Sequence, residues 1–126
     1  MARGEFSYED FNRFCASLPA ATHVVQWGGS DVWKVGGKVF AIGGWADDAP
    51  AFTFKTSRDG FDTLTALPGV RPAPYLASRG MSWVQHYAAP GIRAKMLKEL
   101  LRESHRLVSL GLSKKRQREL GLDPSD

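Results

Sequence analysis

Asp31-Val-Trp-Lys-Val35, Gly36-Gly37 and Lys38-Val-Phe-Ala-Ile42 form the stretch on which the fold turns. Two runs rich in β-branched and aromatic residues flank a two-residue glycine loop, and glycine supplies the positive φ that such a hairpin turn requires. Simple pairing about that turn sets Val35 against Lys38, Trp33 against Phe40 and Asp31 against Ile42 on one side of a sheet. Trp33 and Phe40 are then the expected core anchors. The other side carries Val32, Lys34, Val39 and Ala41 and reads as partly exposed. Glycine pairs at Gly28-Gly29 and Gly43-Gly44 punctuate the same region, and Ala51-Phe-Thr-Phe-Lys-Thr56 alternates Phe52 and Phe54 with Thr53 and Lys55 as a third strand.

Upstream of the hairpin, Ser7 followed three residues later by Asp10 has the form of a capping box with the shorter acid. Phe11, Phe14, Cys15 and Leu18 then recur at helical spacing, which predicts a first helix ending before Pro19. Cys15 lies on its buried stripe and reads as a small core hydrophobe rather than a nucleophile. Downstream, Phe61, Leu64 and Leu67 predict a short helix closed by Pro68-Gly69. The prolines of Val70-Arg-Pro-Ala-Pro-Tyr-Leu76 remove two backbone donors, so this segment is expected as an extended connector or edge. Ser82-Trp-Val-Gln-His-Tyr87 reads as a last strand. A long amphipathic helix is expected from near Pro90 to near Gly111, with Leu97, Leu100, Leu101, Ser104, Leu107 and Val108 on one half-circle and the charged residues on the other. Ser113 can cap a short basic helix from Lys114 to Leu120, stopped at Gly121. The order of elements, with no repeated βαβ unit, predicts an α+β fold: a single antiparallel sheet packed against helices, as one domain over residues 1–126.

Composition agrees with a packed core: 43% of residues are apolar and 11% aromatic, which excludes an intrinsically disordered chain. One cysteine excludes an internal disulfide and a cysteine-based zinc site. No apolar run approaches the roughly 20 residues of a membrane span, and the start of the chain lacks the apolar core of a signal peptide, so a cytoplasmic protein is expected. Charge is uneven. Residues 1–90 hold eight basic and eight acidic residues, whereas Arg93 to Arg118 hold nine basic against two acidic, a net +7. That excess reads either as solvated helix faces or as a surface for anionic partners.

Taken in order and spacing, Asp31-Val-Trp-Lys-Val-Gly-Gly-Lys-Val-Phe-Ala41, Ala73-Pro-Tyr-Leu76, Trp83-Val84, Ser104-His-Arg-Leu-Val108 and Leu112-Ser-Lys-Lys-Arg116 resemble the MmcQ/YjbR family over nearly the whole chain. The resemblance implies a compact frataxin-like (CyaY-like) α+β fold, commonly labelled DNA-binding, in a family without an agreed biochemical activity. His105 stands where the family usually has Tyr. The resemblance also implies that such a fold can bind iron through clustered carboxylates on the first helix and adjoining edge. Glu5, Glu9 and Asp10 are the candidates here, with Arg13 beside them, and hard or borderline cations need several converging oxygens.

No catalytic signature is present. The glycine pairs form no GxGxxG at a strand-to-helix junction and read as turns. His23, His86 and His105 have no paired-ligand spacing. Ser104 and His105 are helical neighbours pointing about 100° apart, which excludes them as a nucleophile–base pair. Asp47-Asp48 reads as a loop tip, with an acid/base pair unsupported by any second constellation. The expected function is therefore non-enzymatic: weak, largely sequence-independent binding of DNA phosphates. Its candidate residues are Lys34, Lys38 and Lys55 on or beside the hairpin and Lys114, Lys115, Arg116 and Arg118 on the terminal helix. Trp33, Tyr75 and Trp83 are available for base stacking or for the core. The alternative is a small-molecule or protein-interaction module using the Pro-rich connector and the exposed sheet face, favoured by an apolar pocket bordered by Tyr75 and Trp83. No cofactor, metal or membrane partner is expected, and a monomer is favoured.

Overall fold

The computed structural model describes residues 6–44, 50–74, 82–88 and 90–124. The hairpin lies at its centre. β2 (Ser30–Val35) and β3 (Lys38–Gly43) are joined by Gly36 and Gly37 at φ 59° and 83°, the left-handed conformations that a tight hairpin turn demands. Val35 pairs with Lys38 and Lys34 with Val39. Then the register shifts: Trp33 pairs with Ala41 rather than Phe40, Val32 with Ile42, and Asp31 with Gly43. The cause is a bulge in which Phe40 is the extra residue, and an inserted residue breaks strict alternation. Trp33, Val35, Phe40 and Ala41 consequently all join the main core.

Val32 and Ile42, paired across the other face, are also fully buried, as are Thr53 and Gln85 further along the same face. The expectation of a partly exposed second face therefore holds at Lys34 and Val39, which are half-buried, and fails at Val32 and Ala41. Among the described residues the second face is closed at Val32, Ile42, Thr53 and Gln85 and half-open at Lys34 and Val39.

A strand that patterning does not signal, β1 (Ala21–Gln26), pairs antiparallel with β2 at the sheet edge. Its sequence Ala-Thr-His-Val-Val-Gln lacks alternation because as an edge it buries little; Val25 is 57% exposed. β4 (Phe52–Lys55), β5 (Val70–Pro72) and β6 (Trp83–His86) complete an antiparallel sheet of order β1-β2-β3-β4-β6-β5. The proline-bearing β5 is the opposite edge, where a missing N–H breaks no ladder bond.

α1 (Tyr8–Ala16) opens with the expected capping box: the Asp10 N–H donates to Ser7 Oγ at 3.0 Å and the Ser7 N–H to Asp10 Oδ2 at 3.2 Å. Its Phe11 packs on Phe52 with ring centres 5.1 Å apart, and Phe6 and Tyr8 meet the same ring edge-on. Cys15 is fully buried, and burial pushes its thiol far above the ordinary range, as befits an inert core residue. α2 (Arg58–Leu64) is the expected short helix.

α3 (Ala94–Leu110) lies against β3 and β4 and buries Leu97, Leu101, Ser104 and Val108. It begins later than Pro90 because Gly91 takes φ 49° and Arg93 is extended, with φ −66° and ψ 151°. α4 (Lys114–Glu119) follows, capped by Ser113 Oγ, which accepts from the Arg116 N–H at 3.1 Å. No helix among the described residues is long and apolar enough to cross a membrane.

Candidate nucleic-acid interface

Antiparallel pairing gathers the sequence-predicted cations at one end of the sheet. β2 runs toward that end and carries Lys34. Lys38 opens β3, Lys55 closes β4, and Trp83, the register partner of Lys55, opens β6. The α3–α4 turn arrives at the same end. A Cβ built on Gly36 would lie 2.7 Å from Leu112 Cδ1 and 3.3 Å from Leu120 Cδ1, so the hairpin turn is seated between the residues that flank α4. Lys38 Nζ donates to the Gly111 carbonyl at 3.4 Å, supplying a cation to the carbonyl end of α3, where the helix dipole is negative.

On α4 the side chains of Lys114, Lys115, Arg116 and Arg118 are exposed, and only Gln117 is buried. Gln117 Nε2 donates to the carbonyls of Ser109 and Leu112 at 3.0 Å each, which anchors the helix without using its charges. Arg116 makes an exposed pair with Glu119 at 3.4 Å. Lys114, Lys115 and Arg118 make no ion pair among the described residues.

The fold divides the rest of the basic segment. α3 is 17 residues long, about 25 Å, so Arg93 and Lys95 at its start are remote from α4. Arg106 is bidentate to Glu103, at 2.9 and 2.6 Å, and Arg102 lies over the Phe14 ring at 5.3 Å. The run from Arg93 to Arg118 is thus two separated clusters with neutralised or packed cations between them.

At the cationic end a groove of about 410 Å³ opens between the strands and α3, lined by Lys38, Val39, Lys55, Trp83, Leu107 and Gly111 among others. Trp83 is 5% exposed, which makes its ring part of the core. Its Nε1–H is buried and meets no acceptor among the described residues. Trp33 is likewise buried, with its Nε1–H donating to Asn12 Oδ1 at 2.9 Å. Neither ring is free to stack on a base, and Tyr75, the third aromatic, lies outside the described residues.

Sequence reasoning offered Trp83 as the border of an apolar pocket but not the lysines that share the groove with it, since the walls come from β3, β4, β6 and α3. The only signal was Trp83 with two lysines, scattered over 46 positions from Lys38 to Trp83. Of the candidate iron ligands, Glu9 and Asp10 pair with Arg13 at 3.6 and 3.4 Å, and Glu5 lies outside the described residues, as do Asp47 and Asp48. Among the described residues no three His, Cys, Asp or Glu side chains converge as a metal site would require.

A six-stranded antiparallel sheet with helices packed on it and a cationic end makes this a small α+β protein built on a YjbR-type fold. The YjbR family model matches residues 16–107, and the chain belongs to that family. It is also similar to the crystal structure of Deinococcus radiodurans protein DR2400, which carries the family-model domain DUF419. That likeness has a TM-score of 0.84 at 25% identity and covers 100% of this chain and 96% of the other. No curated protein matches.

Proposed function

We propose that the cationic end binds nucleic acid as a non-enzymatic module, holding the phosphate backbone of DNA with little regard to sequence. One observation carries the reading: residues distant in sequence converge there, with Lys38 and Lys55 on one groove and the hairpin turn seated against the helix that presents Lys114, Lys115, Arg116 and Arg118. Phosphate tracking needs cations at spaced positions on one surface and no base-reading side chains, and each neutralised phosphate releases condensed counterion. No described helix presents the Arg, Asn and Gln pattern that reads base edges in the major groove.

Duplex binding measured across a range of salt concentrations tests the reading. It expects weak binding, similar for unrelated sequences, with a steep linear loss of log affinity against log salt. No binding at low ionic strength, where basic surfaces associate most readily, overturns it.

A further inference from the structure

The geometry points to the groove between β3, β4 and α3 as a phosphomonoester site, with the dianion held by the ammonium groups of Lys38 and Lys55 and by the indole N–H of Trp83. The inference rests on the cationic end being phosphate-binding, and it deepens that reading by naming the group bound there.

Three observations converge. First, Lys38 and Lys55 line one cavity with no carboxylate among its described lining residues, and Lys55 has no ion-pair partner among the described residues. Two positive charges match a phosphomonoester, whose second ionisation near pH 6 leaves it close to dianionic at neutral pH, better than they match the single charge of an internal phosphodiester. Second, Trp83 lines the groove, is only 5% exposed, and its Nε1–H is a donor without an acceptor among the described residues. A buried donor without an acceptor carries an uncompensated desolvation cost, which an oxygen anion at the groove would relieve through a charge-assisted bond. Third, the remaining walls, Val39 and Leu107 among them, are apolar, and about 410 Å³ falls in the range of small-molecule sites. Such a groove accepts an organic body attached to the phosphate.

A phosphomonoester reaches the groove from two sources, the 5′-terminal phosphate of a nucleic acid strand or a free phosphorylated small molecule. The test follows the indole N–H resonances of the ¹⁵N-labelled full chain, with the Trp83 signal assigned by its loss in Trp83→Phe. Titrants are thymidine 5′-monophosphate, thymidine, and one DNA duplex with either 5′-phosphate or 5′-hydroxyl ends. The Trp83 resonance is expected to move saturably with the monophosphate and stay still with thymidine, and Lys55→Gln is expected to weaken that binding about tenfold or more. Movement with the 5′-phosphorylated duplex alone supports the site and assigns the nucleic acid end as its source.

If neither phosphorylated probe moves Trp83 at low ionic strength, the inference is overturned, even where the 5′-hydroxyl duplex binds with a steep salt slope and the backbone reading survives. Conversely, a monophosphate response in a chain that binds no duplex keeps the groove site and removes the nucleic-acid reading. Should Trp83→Phe fail to fold, Lys55→Gln decides the matter alone: unchanged monophosphate affinity in that variant rejects the site.

Discussion

The Ser104 hydroxyl of α3 donates to the Phe40 carbonyl of β3 at 2.6 Å. Phe40 is the residue that the bulge removes from the β2–β3 register, and β3 stops pairing with β4 at Ala41 and Phe54, so the next rung would join Phe40 to Lys55. The Lys55 N–H donates to that same hydroxyl at 2.8 Å. A helix side chain therefore stands where a ladder bond would run, wedged between the strands that go on to carry Lys38 and Lys55 along the groove.

Replacing Ser104 with Ala leaves the Phe40 carbonyl and the Lys55 N–H buried and unpaired unless the strands close on each other. The expected cost is about 1–3 kcal/mol, the usual penalty for orphaned buried backbone groups. A denaturant midpoint indistinguishable from wild type would mean that the two strands zip together when the hydroxyl is gone.

Trp33→Ala is expected to destabilise by about 3–5 kcal/mol, as truncation of a large buried aromatic does. Trp33 is 7% exposed, its ring centre lies 4.8 Å from that of His23, and its N–H bonds Asn12 on α1, so the loss removes both packing and a helix–sheet tie. Equilibrium unfolding checks this, and a change below about 1 kcal/mol would place the ring outside the core.

How much of this was legible in the sequence depends on the range of the cause. The α1 capping box, the Gly36-Gly37 turn, the proline-bearing edge and the stripe centred on Ser104 are local patterns, and each appears as read. The bulge at Phe40 is not local: it depends on a helix serine 64 positions away. β1 escaped because an exposed edge needs no alternation, and the start of α3 was misplaced because the fold puts Gly91 in a left-handed conformation next to His86. Of the candidate site, the cations were visible one by one. Their gathering at one end required the strand directions, and the orphaned Trp83 N–H required coordinates.

The buried imidazole of His105 should make the fold acid-sensitive. Burial lowers its pKa below the ordinary 6.5, outweighing the Nε2–H bond to the Pro19 carbonyl at 2.7 Å, which acts to raise it, and its ring stands edge-on to Phe40. With the folded value depressed, the unfolded chain takes up the proton first. Stability is then fully present above roughly pH 6.5 and falls as the pH drops toward the folded value. His86, also lowered by burial, adds to the same trend. His105→Gln keeps a donor for Pro19 and removes the titration. Its stability should therefore decline less steeply than wild type between roughly pH 7 and 5, whatever its absolute level; parallel pH profiles would contradict this.

Alanine at Lys114, Lys115, Arg116 and Arg118 together should separate DNA contact from mere solvation of α4. All four side chains are exposed, while α4 is held by Gln117 and by Leu112 and Leu120 against the hairpin turn, so the melting temperature should change little. If these cations meet phosphates, the logarithmic salt slope of duplex binding should fall by up to about 3–4, because each contact contributes roughly 0.9. Arg116 must first be released from Glu119, an exposed pair at 3.4 Å worth little, so it counts nearly in full. Lys34→Ala and Lys55→Ala measured alongside weigh the strand side of the same end, each expected to lower the slope by about 1. A quadruple variant that keeps the wild-type slope while the two strand variants lower it would confine DNA contact to the strands and leave α4 as a solvated basic face.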